Sequence, residues 1–298
     1  MVATSRNSQC AVANAVDHAT VDEALLSTET AQVAVVIPVY NEAGTVNTVL
    51  RRVLANRATA EVIVVDDGSS DGTDVAVIQN AKRDERIKVI HHQTNRGKGA
   101  ALRTAFEHVK APIVIIQDAD LEYDPSDYER VIAPIVSGYS SVCFGSRFMK
   151  ASLTNISVER RVANSVLTML SNAATGLALT DMETCMKAFR TEVIRRVCIE
   201  EDGFGVEPEI TAKLACLGMR VREVPISYVA RSKADGKKLR WRDGIDAVKC
   251  ILKYHPKLID VRRQPIHFGQ RHISMAVSTQ TAVIVFTRML LALVKQRL

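Results

Sequence analysis

The sequence predicts an α/β fold: one mixed, mostly parallel sheet flanked by helices, in a single domain. Three observations point there. Strand and helix signals alternate over roughly ninety residues from Val33, the rhythm of βαβ units. The strand signals are unbroken apolar runs, such as Val33-Ala34-Val35-Val36-Ile37, which suit strands covered on both faces. The runs end on polar, Asp- and Gly-rich stretches, and sheets of this class bind ligands at the carboxyl ends of their strands.

The elements follow in order. Val33–Ile37 predicts the first strand, and Val46, Val49, Leu50, Val53 and Leu54 recur at helical spacing behind it. Glu61–Asp66 predicts the second strand, Asp74–Ala81 a helix and Ile87–Ile90 the third strand. In Ala100–Val109, Leu102, Ala105, Phe106 and Val109 share one helical face, and Pro112–Ile116 predicts the fourth strand. Past residue 125 the rhythm changes. Helices are expected at Ser126–Val136, Val158–Ala174, Pro208–Leu217 and Asp243–Lys253, with strands at Val142–Phe144, Thr184–Phe189 and Val221–Tyr228. No Pro/Gly/Ser-rich linker separates the halves, so 125–255 reads as an extension of the domain begun at residue 32.

Composition narrows the function classes. Hydrophobic residues are 47% of 298, enough for a core and against wholesale disorder. The net charge is +6, but it is unevenly placed. Residues 231–298 hold 15 Lys and Arg against 4 Asp and Glu, while residues 1–31 hold only Arg6 against four acids. The charge therefore lies in a basic C-terminal segment beside a near-neutral body. Aromatic residues are only 5% and no nucleic-acid-binding motif occurs, so nucleic acid is not an expected partner. The six cysteines form no CxxC pair, which fits reduced core thiols rather than a zinc or redox site. Residues 1–31, rich in Ala, Thr, Ser and Asn, read as a flexible leader with no signal-peptide core, and no apolar run reaches membrane-spanning length. The expectation is a cytoplasmic protein.

The strand ends carry the chemistry. Asp118-Ala119-Asp120, with Glu122 beyond, places carboxylates at i, i+2 and i+4 after the fourth strand, where a turn can converge them on Mg²⁺ or Mn²⁺. Asp66-Asp67-Gly68-Ser69-Ser70-Asp71-Gly72-Thr73 follows the second strand. Turn chemistry and an N-cap at Asp71 or Thr73 explain its Gly and Ser residues, and a carboxylate there suits a base or ribose hydroxyl. Asn95-Arg96-Gly97-Lys98-Gly99-Ala100 opens a helix, an anion-binding arrangement. It lacks the P-loop ending, and no GxGxxG follows the first strand, which speaks against an ATPase and a dinucleotide oxidoreductase.

These four segments, with Val36-Ile37-Pro38-Val39-Tyr40-Asn41-Glu42, fall in the order and spacing of family 2 glycosyltransferases of the GT-A, Rossmann-like fold. Over residues 32–255 the chain resembles the dolichol-phosphate mannose synthase and polyprenyl-phosphate glycosyltransferase branch. The resemblance implies a nucleotide-sugar half at 32–124 and an acceptor half at 125–255. It implies that Pro38, Tyr40, Glu42 and Asp67 form the nucleoside pocket, and that Lys98, Asp118 and Ala119 lie at the donor phosphates. Asp118, Asp120 and Glu122 (often Gln in relatives) would hold the metal. Gly145-Ser146-Arg147-Phe148 matches the GSR(Y/F) motif of the branch. Arg161 and Ser165 share a helical face and match the pair that holds a lipid phosphate. Arg231 begins a basic loop, Arg231–Lys238, that closes over the acceptor in relatives. Arg147, Arg161, Ser165 and Arg231 are thus the implied acceptor-phosphate site, and Asp120, Asp181 and Arg231 the implied catalytic residues. Glu207 and Glu209 either line the same cleft or merely complement a helix N-terminus.

What this implies is an inverting, metal-dependent hexosyltransferase, passing a sugar from a GDP-mannose- or UDP-glucose-type donor to a polyprenyl or dolichyl phosphate. A phosphate acceptor needs no strong base, whereas a hydroxyl acceptor would need one, and Asp181 is the candidate. A soluble or hydroxyl acceptor is the alternative. A sugar-phosphate nucleotidyltransferase is less favoured, because Pro38–Glu42 stands where its Gly-rich signature would be. Many relatives continue into transmembrane helices. Here residues 256–298 form a basic tail with a short apolar stretch, Ala282–Val294. The tail suits peripheral binding at an anionic leaflet, or a helix packed on the core or in a homo-oligomer interface.

Overall fold

A computed structural model of the chain describes residues 32–149, 156–231 and 241–255, with 241–243 as backbone only. The leader, the basic loop after Arg231 and the tail from residue 256 lie outside the described residues. The first half holds β1 (Val33–Val39), α1 (Val46–Ala55), β2 (Thr59–Asp66), α2 (Thr73–Ala81), β3 (Ile87–His91), α3 (Lys98–His108) and β4 (Ile113–Ile116). A 3₁₀ turn at Pro125–Asp127 leads into α4 (Tyr128–Val136). Then come β5 (Val142–Ser146), α5 (Val158–Thr175), β6 (Lys187–Arg190), α6 (Thr191–Ile194), α7 (Val206–Cys216), β7 (Val221–Pro225) and α8 (Trp241–Lys253).

The strands form one sheet in the order β3-β2-β1-β4-β6-β5-β7. All pairings are parallel except the two made by β6, which runs against β4 and β5. Apart from β6, every strand therefore points its carboxyl end to one edge. The unbroken apolar runs have the predicted cause: all seven residues of β1 are buried. Pro38 sits in this central strand without breaking a ladder. Even-numbered positions of β1 bond toward β4, and that pairing ends where Gln117 N donates to Val36 O. The missing Pro38 N–H therefore has no partner to lose. Helix α3 packs on β1 and β2, α4 on β5, and α5, α7 and α8 on one another.

The second half departs from expectation for local reasons. The strand expected from Thr184 begins only at Lys187. The preceding chain is bonded to side chains instead: Met182 N donates to Thr168 Oγ1, Cys185 N to the Tyr123 hydroxyl, and Lys187 Nζ to the Met182 and Thr184 carbonyls. The strand expected to reach Tyr228 stops at Pro225, leaving a single bridge from Tyr228 to Tyr123. The helix expected at Ser126 starts as a 3₁₀ turn capped by the Asp124 side chain on Ser126 N. The one-turn α6 has no periodic signal that a sequence could show.

Two glycines predict opposite outcomes. A Cβ on Gly99, in the first turn of α3, would lie 2.0 Å from the Glu201 carbonyl oxygen, and Ala100 N already donates to Asp202 O there. Gly99→Ala should lower stability by about 2–3 kcal/mol through overpacking against backbone. A Cβ on Gly244, inside α8, meets nothing within 4 Å. Gly244→Ala should raise stability by about 0.5–1 kcal/mol through helix propensity. Urea unfolding of both variants checks the two signs.

Candidate active site

The chain runs from β1 outward through β2 to β3, then returns to lay β4 on the other side of β1. This reversal opens a crevice between the loops that follow β1 and β4. Thr45 ties the two walls, its Oγ1 lying 2.8 Å from Glu42 Oε2 and 2.9 Å from the Ala119 carbonyl. A cavity of about 560 Å³ opens here, lined by Glu42 to Thr45, Leu121 and Val229 to Arg231.

The Asp- and Ser-rich segment after β2 is the scaffold of the first wall. Asn41 N donates to Ser69 Oγ, Glu42 N to Thr73 Oγ1, and Ala43 N to Asp71 Oδ2. Ser70 N returns a bond to Asn41 Oδ1, and Asn41 itself holds φ 52°. Asp71 also accepts from Thr73 N, but the N-cap of α2 is Gly72 in the left-handed region and not the expected Asp71 or Thr73. Of the residues implied for the nucleoside, Glu42 lines the cavity, Pro38 is buried in β1 and Tyr40 is 36% exposed at its end. Asp67 is buried with both oxygens engaged: it accepts from Arg96 N and Gly97 N and meets His92 Nδ1 at 2.6 Å. Its place is the brace of the 92–97 segment.

The carboxylates after β4 do not converge as three. Among the described residues no group of three or more His, Cys, Asp or Glu is placed to hold a metal ion. The expected triad is corrected by Glu122, whose oxygens accept from the Tyr228 hydroxyl and from Arg231 N, both at 2.8 Å. Asp118 and Asp120 remain. Asp118 meets Lys98 Nζ at 3.0 Å. Asp120 has Arg231 Nε only at 3.9 Å. Burial, then the charges of Asp118 and Glu122, push the Asp120 carboxyl up to about 7. An under-compensated pair of hard oxygen donors fits Mg²⁺ or Mn²⁺, which take one or two carboxylates and complete their shell with water and substrate phosphate.

Behind Asp118 runs a chain of alternating charge. Lys98 Nζ lies 3.0 Å from Asp118 Oδ1, 3.1 Å from Glu207 Oε1 and 3.1 Å from Cys185 Sγ. Burial opposes the Lys98 charge, but Asp118, Cys185 and Glu207 outweigh it and hold its pKa well above the ordinary lysine value. The second oxygen of Glu207 pairs with Lys187, which has no exposed surface and lies over the Phe144 ring. Glu209, two residues on, faces away: it accepts from Glu200 N and Glu201 N and pairs with Lys213. Lys187, Cys185 and Glu183 were not singled out from sequence. A lysine inside Met186-Lys187-Ala188-Phe189 was the available signal, since a charge in an apolar strand demands a buried partner.

The arginines implied for the acceptor phosphate are not gathered in contact with one another. Arg147, just past β5, makes a bidentate pair with Asp181, Nε and Nη2 each at 2.7 Å, and its Nη2 also reaches Asn164 Oδ1 at 3.2 Å. Its guanidinium lies over the rings of Phe148 and Tyr228. Asp181 is fully buried, with both oxygens on Arg147. Arg231 pairs with Glu42 at 2.8 Å across the cavity. Arg161 and Ser165 are exposed on α5, whereas Asn164 and Thr168 form its buried face.

Glu183 gives a pH signature. Its Oε1 is buried without a hydrogen bond. Burial, then the Glu207 charge, push its carboxyl from 4.5 up to about 7. Between these values the native state holds a proton that the unfolded state releases, so stability falls as pH rises through the window. Glu183→Gln should flatten that fall and be more stable than the parent above pH 7. Thermal unfolding across the window checks it, and an unchanged slope would show an ionised Glu183.

The sequence profile described as Glycosyl transferase family 2 matches residues 34–198. The chain is 31% identical over 200 residues to glycosyltransferase AglJ of Haloferax volcanii, covering 67% of this chain and 63% of that protein. It is 28% identical over 213 residues to the undecaprenyl-phosphate mannosyltransferase of Micrococcus luteus, covering 69% and 87%. It is 29% identical over 254 residues to an undecaprenyl-phosphate 4-deoxy-4-formamido-L-arabinose transferase of Salmonella paratyphi A, covering 82% and 75%. Glucosyl-3-phosphoglycerate synthase from Mycobacterium tuberculosis, solved with Mn²⁺, UDP and glucosyl-3-phosphoglycerate, superposes with a TM-score of 0.60 at 18% identity, over 79% of this chain and 84% of that one. That likeness shows the GT-A fold. With the β4 carboxylates at the switch point of such a sheet, the chain belongs to glycosyl transferase family 2.

Proposed function

We propose that this chain transfers a hexose from a nucleotide-sugar to a polyprenyl phosphate, with inversion at the sugar C1. One observation carries the reading: Asp118 and Asp120 sit at the sheet's switch point with Arg231 3.9 Å from Asp120, so a carboxylate pair and a cation share one cleft. Polyprenyl phosphate as acceptor is supported by the relatives named undecaprenyl-phosphate transferases.

Asp118 and Asp120 would hold Mg²⁺ or Mn²⁺, which when bound would supply positive charge for the departing nucleoside diphosphate. Glu42 lies on the cavity wall, where it can accept from a donor hydroxyl. The attacking oxygen belongs to the acceptor phosphate. It forms the new bond to C1 as the bond from C1 to the diphosphate oxygen breaks. With a second phosphate pKa of about 6, that oxygen is largely ionised near neutrality and needs no protein base. Arg231, 3.9 Å from Asp120 on the cavity side, suits a phosphate oxygen. Asp181 fixes the plane of Arg147 with two bonds, which makes it a positioning residue rather than a free base. The exposed Arg161 and Ser165 supply an outer contact for the lipid phosphate. The basic tail suits an acceptor held in an anionic leaflet.

Nucleoside diphosphate release from a panel of nucleotide-sugars with Mn²⁺ tests the reading. Release should depend on added polyprenyl phosphate, and acceptor-independent release across the panel would sink it. Asp120→Asn should lower turnover at least about a hundredfold, as expected for loss of charge stabilisation at the leaving group.

The pH profile separates acceptors. With polyprenyl phosphate, kcat/KM should rise to a plateau near the phosphate pKa of about 6. Asp181→Asn is a poor discriminator, because it strips the bidentate partner from half-buried Arg147 whatever the acceptor is. A profile that instead follows a protein carboxyl, and is abolished by Glu183→Gln, would favour a hydroxyl acceptor.

A further inference from the structure

We infer that Glu207 is a positioning residue for the metal-binding carboxylates: by sharing Lys98 with Asp118, it keeps that ammonium from neutralising Asp118 and leaves Asp118 able to take a divalent cation. The inference rests on the reading of Asp118 and Asp120 as the metal site.

Lys98 was expected to face donor phosphates. Its ammonium is instead held on the inner side of Asp118, 3.0 Å from Oδ1, with Glu207 at 3.1 Å and Cys185 Sγ at 3.1 Å. A cation so close to Asp118 competes with any metal for the same carboxylate. Glu207 is the residue placed to moderate that competition. It is only 3% exposed and leads the first turn of α7. Its other oxygen is anchored on Lys187, which is fixed in turn by the Met182 and Thr184 carbonyls. Glu207 therefore cannot follow Lys98 outward, and Lys98 is divided between an inner and an outer carboxylate. Without Glu207, Asp118 is the one carboxylate among the described residues left within ion-pair distance of Lys98, and the pair tightens at the expense of the metal.

The test is Mn²⁺ binding to the full chain without substrates, read by the loss of the free-ion electron paramagnetic resonance signal. Glu207→Gln should weaken Mn²⁺ binding about tenfold, and Lys98→Met should tighten it by several-fold, as charge changes at ion-pair distance require. The double variant should bind Mn²⁺ as tightly as Lys98→Met, because Glu207 acts through Lys98 and has nothing to moderate once that ammonium is gone. A weakening of about tenfold by Glu207→Gln that persists in the Lys98→Met background, or equal Mn²⁺ affinity in all four proteins, would overturn the inference. If Glu207→Gln fails to fold, Lys98→Met decides alone: unchanged or weaker Mn²⁺ binding with a loss of nucleoside diphosphate binding would return Lys98 to the donor phosphates. A parent protein that takes up no Mn²⁺ at millimolar concentration would remove the metal reading itself, a result distinct from any change among variants.

Discussion

Lys187 has no surface in water, and much of the second half is arranged around that fact. A buried ammonium is tolerable only when carboxylate and carbonyl oxygens replace its hydration. Three of its oxygens come from two directions. The chain before β6 turns back to offer the Met182 and Thr184 carbonyls, which is why β6 starts late. The first turn of α7 offers Glu207, and the Phe144 ring of β5 closes one side. One side chain thus fixes the start of a strand, the entry of a helix and the face of a neighbouring strand. Removal of either charge from such a pair typically costs about 3–5 kcal/mol.

The same helix fixes the first half from outside. Glu209, fully buried, takes the backbone N–H groups of Glu200 and Glu201 and the Lys213 ammonium. That holds the 200–203 segment rigidly enough for its carbonyls to serve as a floor. Gly97 and Gly99 sit on this floor, where any Cβ would meet Asp202 O at 2.4 Å or Glu201 O at 2.0 Å. Glycine at both places is therefore a packing requirement as well as a conformational one, since Gly97 also holds φ +98°. The consequence reaches the site. With the start of α3 seated against 201–202, Lys98 between the two glycines is directed toward Asp118. Two glutamates in one turn of α7 thus set the place of Lys98 from two sides.

Sequence made the parallel half legible because its strands are covered on both faces, and apolar runs bounded by Asp and Gly leave few other readings. The crevice was legible for the same reason: ligand residues gather after strands, and Glu42, Asp118 and Asp120 are found there. What sequence hid was partnership. Asp67 follows a strand as a ligand residue should, yet its oxygens are taken by backbone N–H groups some thirty residues on, and no spacing rule announces such a contact. Glu122 and Arg147 were hidden in the same way, by Tyr228, Arg231 and Asp181. In the mixed half the strands are short and their ends are set by side-chain bonds, so periodicity alone overstated β6 and β7. Arg161 and Ser165 do share a face, as their spacing requires, but spacing cannot say that the face is solvent-exposed.

Glu122 shows how the two halves of the cleft become one device. Its backbone carbonyl accepts from Val229 N, one side-chain oxygen from Arg231 N and the other from the Tyr228 hydroxyl. The Tyr123 and Tyr228 rings meet edge to face at 5.2 Å beside these bonds. The segment that leads into the basic loop is thus bonded, residue by residue, to the turn that carries Asp118 and Asp120. Arg231 completes the contact across the cavity by pairing with Glu42 on the β1 wall. A carboxylate next to the proposed metal ligands but bonded to three groups of another segment is better suited to register than to ligation. It holds Arg231 in register with Asp118 and Asp120, and in the proposed transfer such fixed spacing would orient the two reacting groups.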